Sequence, residues 1–265
     1  MRRESGLAIT ICLLASGCST SGRRPGSLQI DPAKLVDLSY TFDEKTVYWP
    51  NGEGFRHKKV GWAPTPQGYW YAAGEFTGAE HGGTHLDSPI HFGQGKRTLD
   101  RIPVADLIGP AVVVDVAAKA SRDRDYRATP DDLLGWEHAH GRIPAGAIVV
   151  FRTAWGRYWP DKKQYLGSDV LGDVEHLHFP GIAREAAQLL VERGIHGVAI
   201  DTASMDYGPS TDFIVHQVLN GADIYGIENL ANAERLPDQG ATLIALPFKI
   251  AEGSGGPVRV VALLP

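Results

Sequence analysis

The sequence predicts a mixed α/β domain. Three observations carry that expectation. β-branched runs such as Val112 to Val116 read as strands. Stretches of helical spacing alternate with such runs in the second half. Gly 31 and Pro 17 in 265 residues favour many turns over long helices. An apolar share of 43% with 22% charged residues is that of an ordinary globular chain, long enough for one large domain or two small ones. No linker long enough to divide the chain and no internal repeat occurs after residue 28, so 29–265 reads as one domain. A net charge of -5 excludes the basic surface of a nucleic-acid binder.

In chain order, Met1-Arg2-Arg3 is a basic start and Leu7 to Ala15 an apolar run. That run is far short of the roughly 20 residues a membrane-spanning helix needs, so residues 1–18 read as a secretory signal. Leu14-Ala15-Ser16-Gly17-Cys18 resembles a bacterial lipobox, which makes Cys18 the lipidated mature N-terminus and 19–28 a flexible tether. The expectation is an exported, membrane-anchored lipoprotein facing the periplasm or the cell exterior. Strands follow at Val112 to Val116 and, after the turn Pro144-Ala145-Gly146, at Ala147 to Arg152. The stretch from Ala118 to Pro180 is loop-rich and carries Trp136, Trp155 and Trp159. Ile182 to Arg193 has helical spacing, with Ile182, Ala186, Leu189 and Leu190 on one face and Gly194 as the cap. Gly197 to Ile200 returns to strand, Ser210 to Leu219 reads as helix stopped by Asn220-Gly221, and Ile224 to Ile227, Leu243 to Leu246 and Val258 to Leu263 read as strands.

Both cysteines, Cys12 and Cys18, lie at the N-terminus, which leaves the globular part with no disulfide, thiolate metal site or cysteine nucleophile. Histidines carry the chemistry. His81, His85, Asp87 and His91 fall within eleven residues, and Gly82-Gly83 and Pro89 argue against a helix there. In an extended chain all four odd positions face one side, and His85 and Asp87 lie about 6.6 Å apart, close enough to converge on one ion. A straight chain would hold His81 about 13 Å from His85, so a bend at Gly82-Gly83 has to bring it in. Imidazole and carboxylate donors suit zinc, manganese or iron better than calcium, and three protein ligands leave positions for water, as in catalytic sites. No G-x-S-x-G elbow, H-E-x-x-H helix or phosphate-binding glycine loop is present. His216 and Glu228 lie far downstream, and spacing alone favours a surface helix histidine and an exposed glutamate.

Other residues admit two readings. Asp201, Ser204 and Asp206 lie near the site or serve turns and caps. His176 and His178 line a pocket or sit on the surface, while His138, His140 and His196 read as surface. Trp155 and Trp159 wall an aromatic pocket or belong to the core.

His81-Gly82-Gly83-Thr84-His85-Leu86-Asp87-Ser88-Pro89-Ile90-His91 resembles the H-x-G-T-H-x-D-x-P-x-H motif of the cyclase-like metal hydrolases, a family that includes bacterial kynurenine formamidase and isatin hydrolase. The likeness continues through Phe179-Pro180-Gly181, Ile200-Asp201-Thr202, His216, Gly226-Ile227-Glu228-Asn229 and Ala245 to Ile250. The resemblance implies a compact β/β/α, swivelling-type domain around a barrel-like mixed sheet, as a homodimer or larger homo-oligomer. It implies one or two divalent ions per chain, Zn or Mn: His81, His85 and Asp87 on the first, with Asp87 bridging to a second completed by His216 and Glu228. His91 takes the place of the catalytic acid/base, and Trp49 that of a tryptophan against the substrate's aromatic ring. The implied reaction is hydrolysis of the C–N bond of an aromatic formamide or cyclic amide, the alternatives being a lactonase and a non-catalytic metal-binding surface lipoprotein. The chain departs from the usual formamidase in its export signal and its longer middle region, and Phe151 to Trp155 and Ser254-Gly255-Gly256-Pro257 resemble the isatin-hydrolase branch.

Overall fold

The computed structural model describes residues 30–265. The readings of 1–18 and 19–28, Cys18 among them, lie outside the described residues. β1 (Leu35–Asp37) leads to a hairpin of β2 (Arg56–Pro64) and β3 (Trp70–Thr77), then to a short β4 (His85–Asp87). β5 (Ile108–Asp115), α1 (Ala117–Ala120), β6 (Arg127–Ala128), α2 (Pro130–His140), β7 (Ile148–Arg152), α3 (Lys162–Leu166) and β8 (Gly181–Ile182) follow. The chain ends with α4 (Arg184–Arg193), β9 (Gly197–Ile200), α5 (Ile214–Gly221), β10 (Tyr225–Glu228), β11 (Thr242–Pro247) and β12 (Gly255–Leu263).

The Val-rich runs form the parallel centre of the sheet, β5–β7–β9–β10. β12 pairs with β11 at one end and with β4 at the other, which closes seven strands into a mixed barrel, and β1 attaches alongside β12. Parallel strands are covered on both faces, which is why these runs are continuously apolar rather than alternating. Val113, Ile148, Val150 and Ala199 point into the barrel core with Leu86 and Ile227. Val112, Val114, Val149, Phe151 and Val198 point outward, under Leu133 of α2, Leu190 of α4 and Leu219 of α5. Each fully buried aliphatic side chain contributes about 1.5–3 kcal/mol.

Gly194 ends α4 in the left-handed conformation (φ 66°), as the spacing predicts. Other expectations need correction. α5 starts at Ile214, not Ser210, because Phe213 adopts φ 49° and the Asp206 carboxylate accepts from Val215 N and His216 N. The stretch 118–180 contains α2, started by a capping box between Thr129 and Asp132 with Pro130 at its first position. Only His85–Asp87 of the histidine-rich stretch is strand, and Pro89–His91 is a 3-10 turn. His91 therefore reaches the site by a turn and not by strand parity.

Candidate functional site

β4 lies between β10 and β12, and its register builds the site. His85 and Asp87 share one face of β4, and Glu228 of β10 sits directly opposite His85. Glu228 is thus the last residue of a strand, not a residue just past one. His85 Nε2 lies 3.2 Å from Asp87 Oδ1 and 3.5 Å from Glu228 Oε2. His81 is turned back by Gly83 (φ 57°), whose carbonyl accepts from Asn229 Nδ2 at 2.8 Å. The rings of His81 and His85 are consequently 5.4 Å apart, and His81 Nδ1 is 2.6 Å from Asp87 Oδ1. From α5, His216 Nε2 comes to 3.3 Å from Asp87 Oδ2 and 3.1 Å from Glu228 Oε1. His91 stacks on His81 with ring centroids 3.8 Å apart.

The other nitrogen of each of these three imidazoles is already engaged. His81 Nε2 lies 2.9 Å from Ser254 Oγ, whose proton goes to Glu80 Oε2. His85 Nδ1 faces Gly83 O at 3.0 Å, and His216 Nδ1 faces Asp206 Oδ2 at 2.7 Å. The acceptors at Gly83 and Asp206 require N–H on those ring nitrogens, and Ser254 Oγ, which donates to Glu80, accepts from His81 Nε2. An inward nitrogen without a proton then faces carboxylate oxygens with its lone pair, which is repulsive unless a proton or a metal cation sits between them. His85 Nε2, fully enclosed, makes no hydrogen bond at all. Outer-sphere bonds of this kind orient histidines on metals. The donor set, imidazole nitrogens with carboxylate oxygens and no thiolate, suits a divalent transition metal. The potential ligand atoms fall into two overlapping groups that share Asp87: His81, Asp87 and His91, and His85, Asp87 and Glu228.

The carboxylates make the floor attractive to positive charge, whether a proton on a ring or a bound cation. Burial disfavours a charge on His85, but Asp87 and Glu228 outweigh it and raise its pKa to about 9. Burial likewise opposes charge on His216, and its bonds to Asp206, Asp87 and Glu228 overcome this. Burial would raise Asp87, yet the neighbouring histidines hold it well below the usual carboxylate range. His91 is the exception. Burial and the three other histidines outweigh Asp87 and push it down to about 4.

Above this floor opens a cavity of about 310 Å³ whose walls are chiefly apolar, with Trp49, Phe92 and Phe213 supplying its aromatic faces. Phe213 lies 5.9 Å from Trp49 and 5.4 Å from Phe92, centroid to centroid. Among the described residues, no lysine or arginine lines the cavity.

The Cyclase family model matches residues 36–207. The chain is 36% identical to isatin hydrolase of Roseibium aggregatum over 194 residues, covering 70% of this chain and 72% of that one. This chain belongs to the Cyclase family. It is also 28% identical to kynurenine formamidase of Salinibacter ruber, over 86% of this chain and 96% of the relative. The crystal structure of an isatin hydrolase bound to the product analogue thioisatinate superposes with a TM-score of 0.81 at 31% identity, over 88% of this chain and 92% of that one. The barrel-like mixed sheet that the resemblance implies for the Cyclase family is the fold found here.

All six residues singled out on the polar floor, His81, His85, Asp87, His91, His216 and Glu228, come together, and Trp49 stands on the wall. Asp206 holds His216, and Ser204 lines the cavity. Asp201 does not reach the cavity; buried, it accepts from Thr153 N, Thr153 Oγ1 and Trp155 N. His176 and His178 are exposed and pair with Asp173 and Asp125. Trp155 packs in a core cluster with Phe179, and Trp159 stacks on Tyr40 at 4.0 Å, so neither lines the cavity. Sequence reasoning missed Phe92, Phe213, Asn229, Glu80 and, as a partner of His81, Ser254. Phe92 directly follows His91, but an aromatic residue there carries no signal of its own.

Proposed function

We propose that this chain is a metal-dependent hydrolase that opens the C–N bond of a small, uncharged cyclic aromatic amide such as isatin. The observation that carries the reading is the convergence of three imidazole nitrogens on the Asp87 and Glu228 carboxylates at the floor of an apolar, aromatic-walled cavity. His81, His85, Asp87, His216 and Glu228 are the residues that would hold one or two divalent ions. Such an ion, zinc or manganese by donor type, supplies Lewis acidity and lowers the pKa of water from 15.7 towards about 7.

The chain's own residues supply the rest. Trp49 and Phe213 hold an aromatic ring above the polar floor. Burial and the neighbouring histidines lower the His91 pKa to about 4, so its ring is neutral at pH 7. In the reaction the oxygen of water adds to the carbonyl carbon, the C–N bond breaks, and the nitrogen leaves as an amine once protonated. His91 takes the proton from the attacking water and delivers it to that nitrogen, help worth about 10²–10⁴-fold in rate. N-formylkynurenine carries an ammonium and a carboxylate, and among the described residues the cavity wall has no lysine or arginine side chain to pair with that carboxylate. Isatin carries neither charge.

Side-by-side turnover of isatin and N-formylkynurenine tests the reading. Higher kcat/KM on isatin is expected, abolished by chelator. Preference for N-formylkynurenine would move the substrate assignment, and no turnover of either amide would sink it.

A further inference from the structure

His81 is the least sheltered of the three imidazoles that converge on Asp87. Its side chain is 24% exposed, against 3% for His85 and 4% for His216. It is also the one that no regular element holds. His85 lies on β4 and His216 on α5, whereas His81 precedes the Gly82-Gly83 pair outside any strand or helix. Two glycines leave the backbone free to turn there, so the ring needs an anchor of its own.

Glu80 and Ser254 supply that anchor. A single carboxylate oxygen, Glu80 Oε2, accepts from Ser254 Oγ at 2.6 Å, from Ser254 N at 2.9 Å and from Gly255 N at 3.3 Å. The Ser254 hydroxyl has one proton, and Glu80 takes it. Its oxygen is then left as an acceptor, and His81 Nε2, 2.9 Å away, donates to it. Ser254 is gripped from the other side as well, because Ser88 N and Ser88 Oγ donate to its carbonyl at 2.8 and 2.7 Å. The His81 ring also lies against Gly255, where a Cβ would come within 2.5 Å of Cε1.

Without this relay the proton of a neutral His81 would settle on the opposite nitrogen. Asp87 Oδ1, 2.6 Å from His81 Nδ1, is an acceptor that favours a proton there. A ring protonated on Nδ1 alone turns no lone pair towards an ion on the floor. Neither Glu80 nor Ser254 is among the described residues that line the catalytic cavity; Glu80 borders a separate apolar corner beside Phe76 and Phe248. The pair acts on the site through His81.

We propose that Glu80 is a positioning residue for the metal: through Ser254 it keeps the His81 proton on Nε2 and reserves Nδ1 for the ion. The inference deepens the reading of the site as a metal centre and rests on it.

Calorimetric titration of the chelator-treated full chain with zinc tests it, together with proton–nitrogen correlation NMR of the histidine rings. Ser254→Ala keeps the backbone bonds to Glu80 and Ser88, so the circular dichroism spectrum should hold. It should weaken zinc binding about 10–100-fold. In the wild type His81 Nε2 should carry a proton with and without zinc; in zinc-free Ser254→Ala that proton should move to Nδ1. Glu80→Ala should match the loss of affinity. Glu80→Gln should recover most of it, because Ser254 N and Gly255 N turn the amide oxygen towards themselves. Wild-type affinity in both alanine variants, or a zinc-free wild type with His81 protonated on Nδ1 alone, overturns the proposal. So does a Ser254→Ala that binds zinc weakly with the His81 proton still on Nε2, which would make the serine a packing residue. A wild type that binds no zinc sinks the metal centre itself, and this inference with it.

Discussion

Each residue of the floor has a separable task. His91→Gln is expected to lose about 10²–10⁴-fold in kcat while bound metal, measured by elemental analysis, stays at the wild-type level. His85→Ala should lose both. Asp206→Ala should weaken metal affinity about 10–100-fold in a calorimetric titration, because His216 Nδ1 loses its 2.7 Å acceptor. Asp201 gives a pH signature away from the site. Burial outweighs the three hydrogen bonds it accepts and raises its pKa to about 6 from 3.8. The folded state therefore binds the proton more tightly than the unfolded state. This contribution to stability is complete below pH 3.8 and is lost as pH rises through 6, by up to about 3 kcal/mol. Asp201→Asn removes the titration, so urea unfolding should show the variant gaining on the wild type between pH 4 and pH 6; a constant difference would refute the assignment. The histidine-rich stretch was legible because its donors are neighbours in sequence. His216 and Glu228 were not legible from spacing, since their meeting depends on the pairing of β10 with β4 and on the placement of α5. Phe213 gave no signal, because its left-handed backbone is imposed by the turn ahead of α5.

At the scale of elements, the parallel strands were readable because burial on both faces leaves continuous apolar runs. The helix α2 was not, since only Leu133 and Trp136 bury and the apolar period is faint. Its start signal, Thr129-Pro130 with Asp132, was nevertheless present. Thr129→Ala should cost about 1 kcal/mol in chemical denaturation. The hairpin escaped notice because β2 begins with Arg56-His57-Lys58-Lys59 and its register shifts between Lys59 and Gly61, which breaks the alternation a half-buried strand would show. The segment before β4 depends on close approach. A Cβ on Gly82 would lie 2.1 Å from the Tyr48 ring, and those two residues also form a bridge. Gly82→Ala should cost about 1–3 kcal/mol and weaken metal binding together, because His81 is the adjoining residue. A lower Tm with unaltered metal affinity would uncouple the two.

For the whole molecule, barrel closure by β12 brings Gly255 opposite Asp87 and sets Ser254 beside His81. The candidate site thus joins β4 to β10 and β12, strands that lie far downstream of it in the chain. Metal and fold should consequently be linked, and metal at 100 times its Kd should add about 2.7 kcal/mol to stability. The export signal remains a proposal, tested by labelled fatty acid on the wild type and its absence on Cys18→Ser. The most direct measurement follows isatin ring opening while chelator-treated protein is titrated with Mn²⁺ or Zn²⁺. Turnover should start near zero, rise to saturation at one or two ions per chain, and fail to rise in His85→Ala. Full turnover in the chelated protein, or none once metal has bound, would contradict a hydrolase built on that nest of imidazoles and carboxylates.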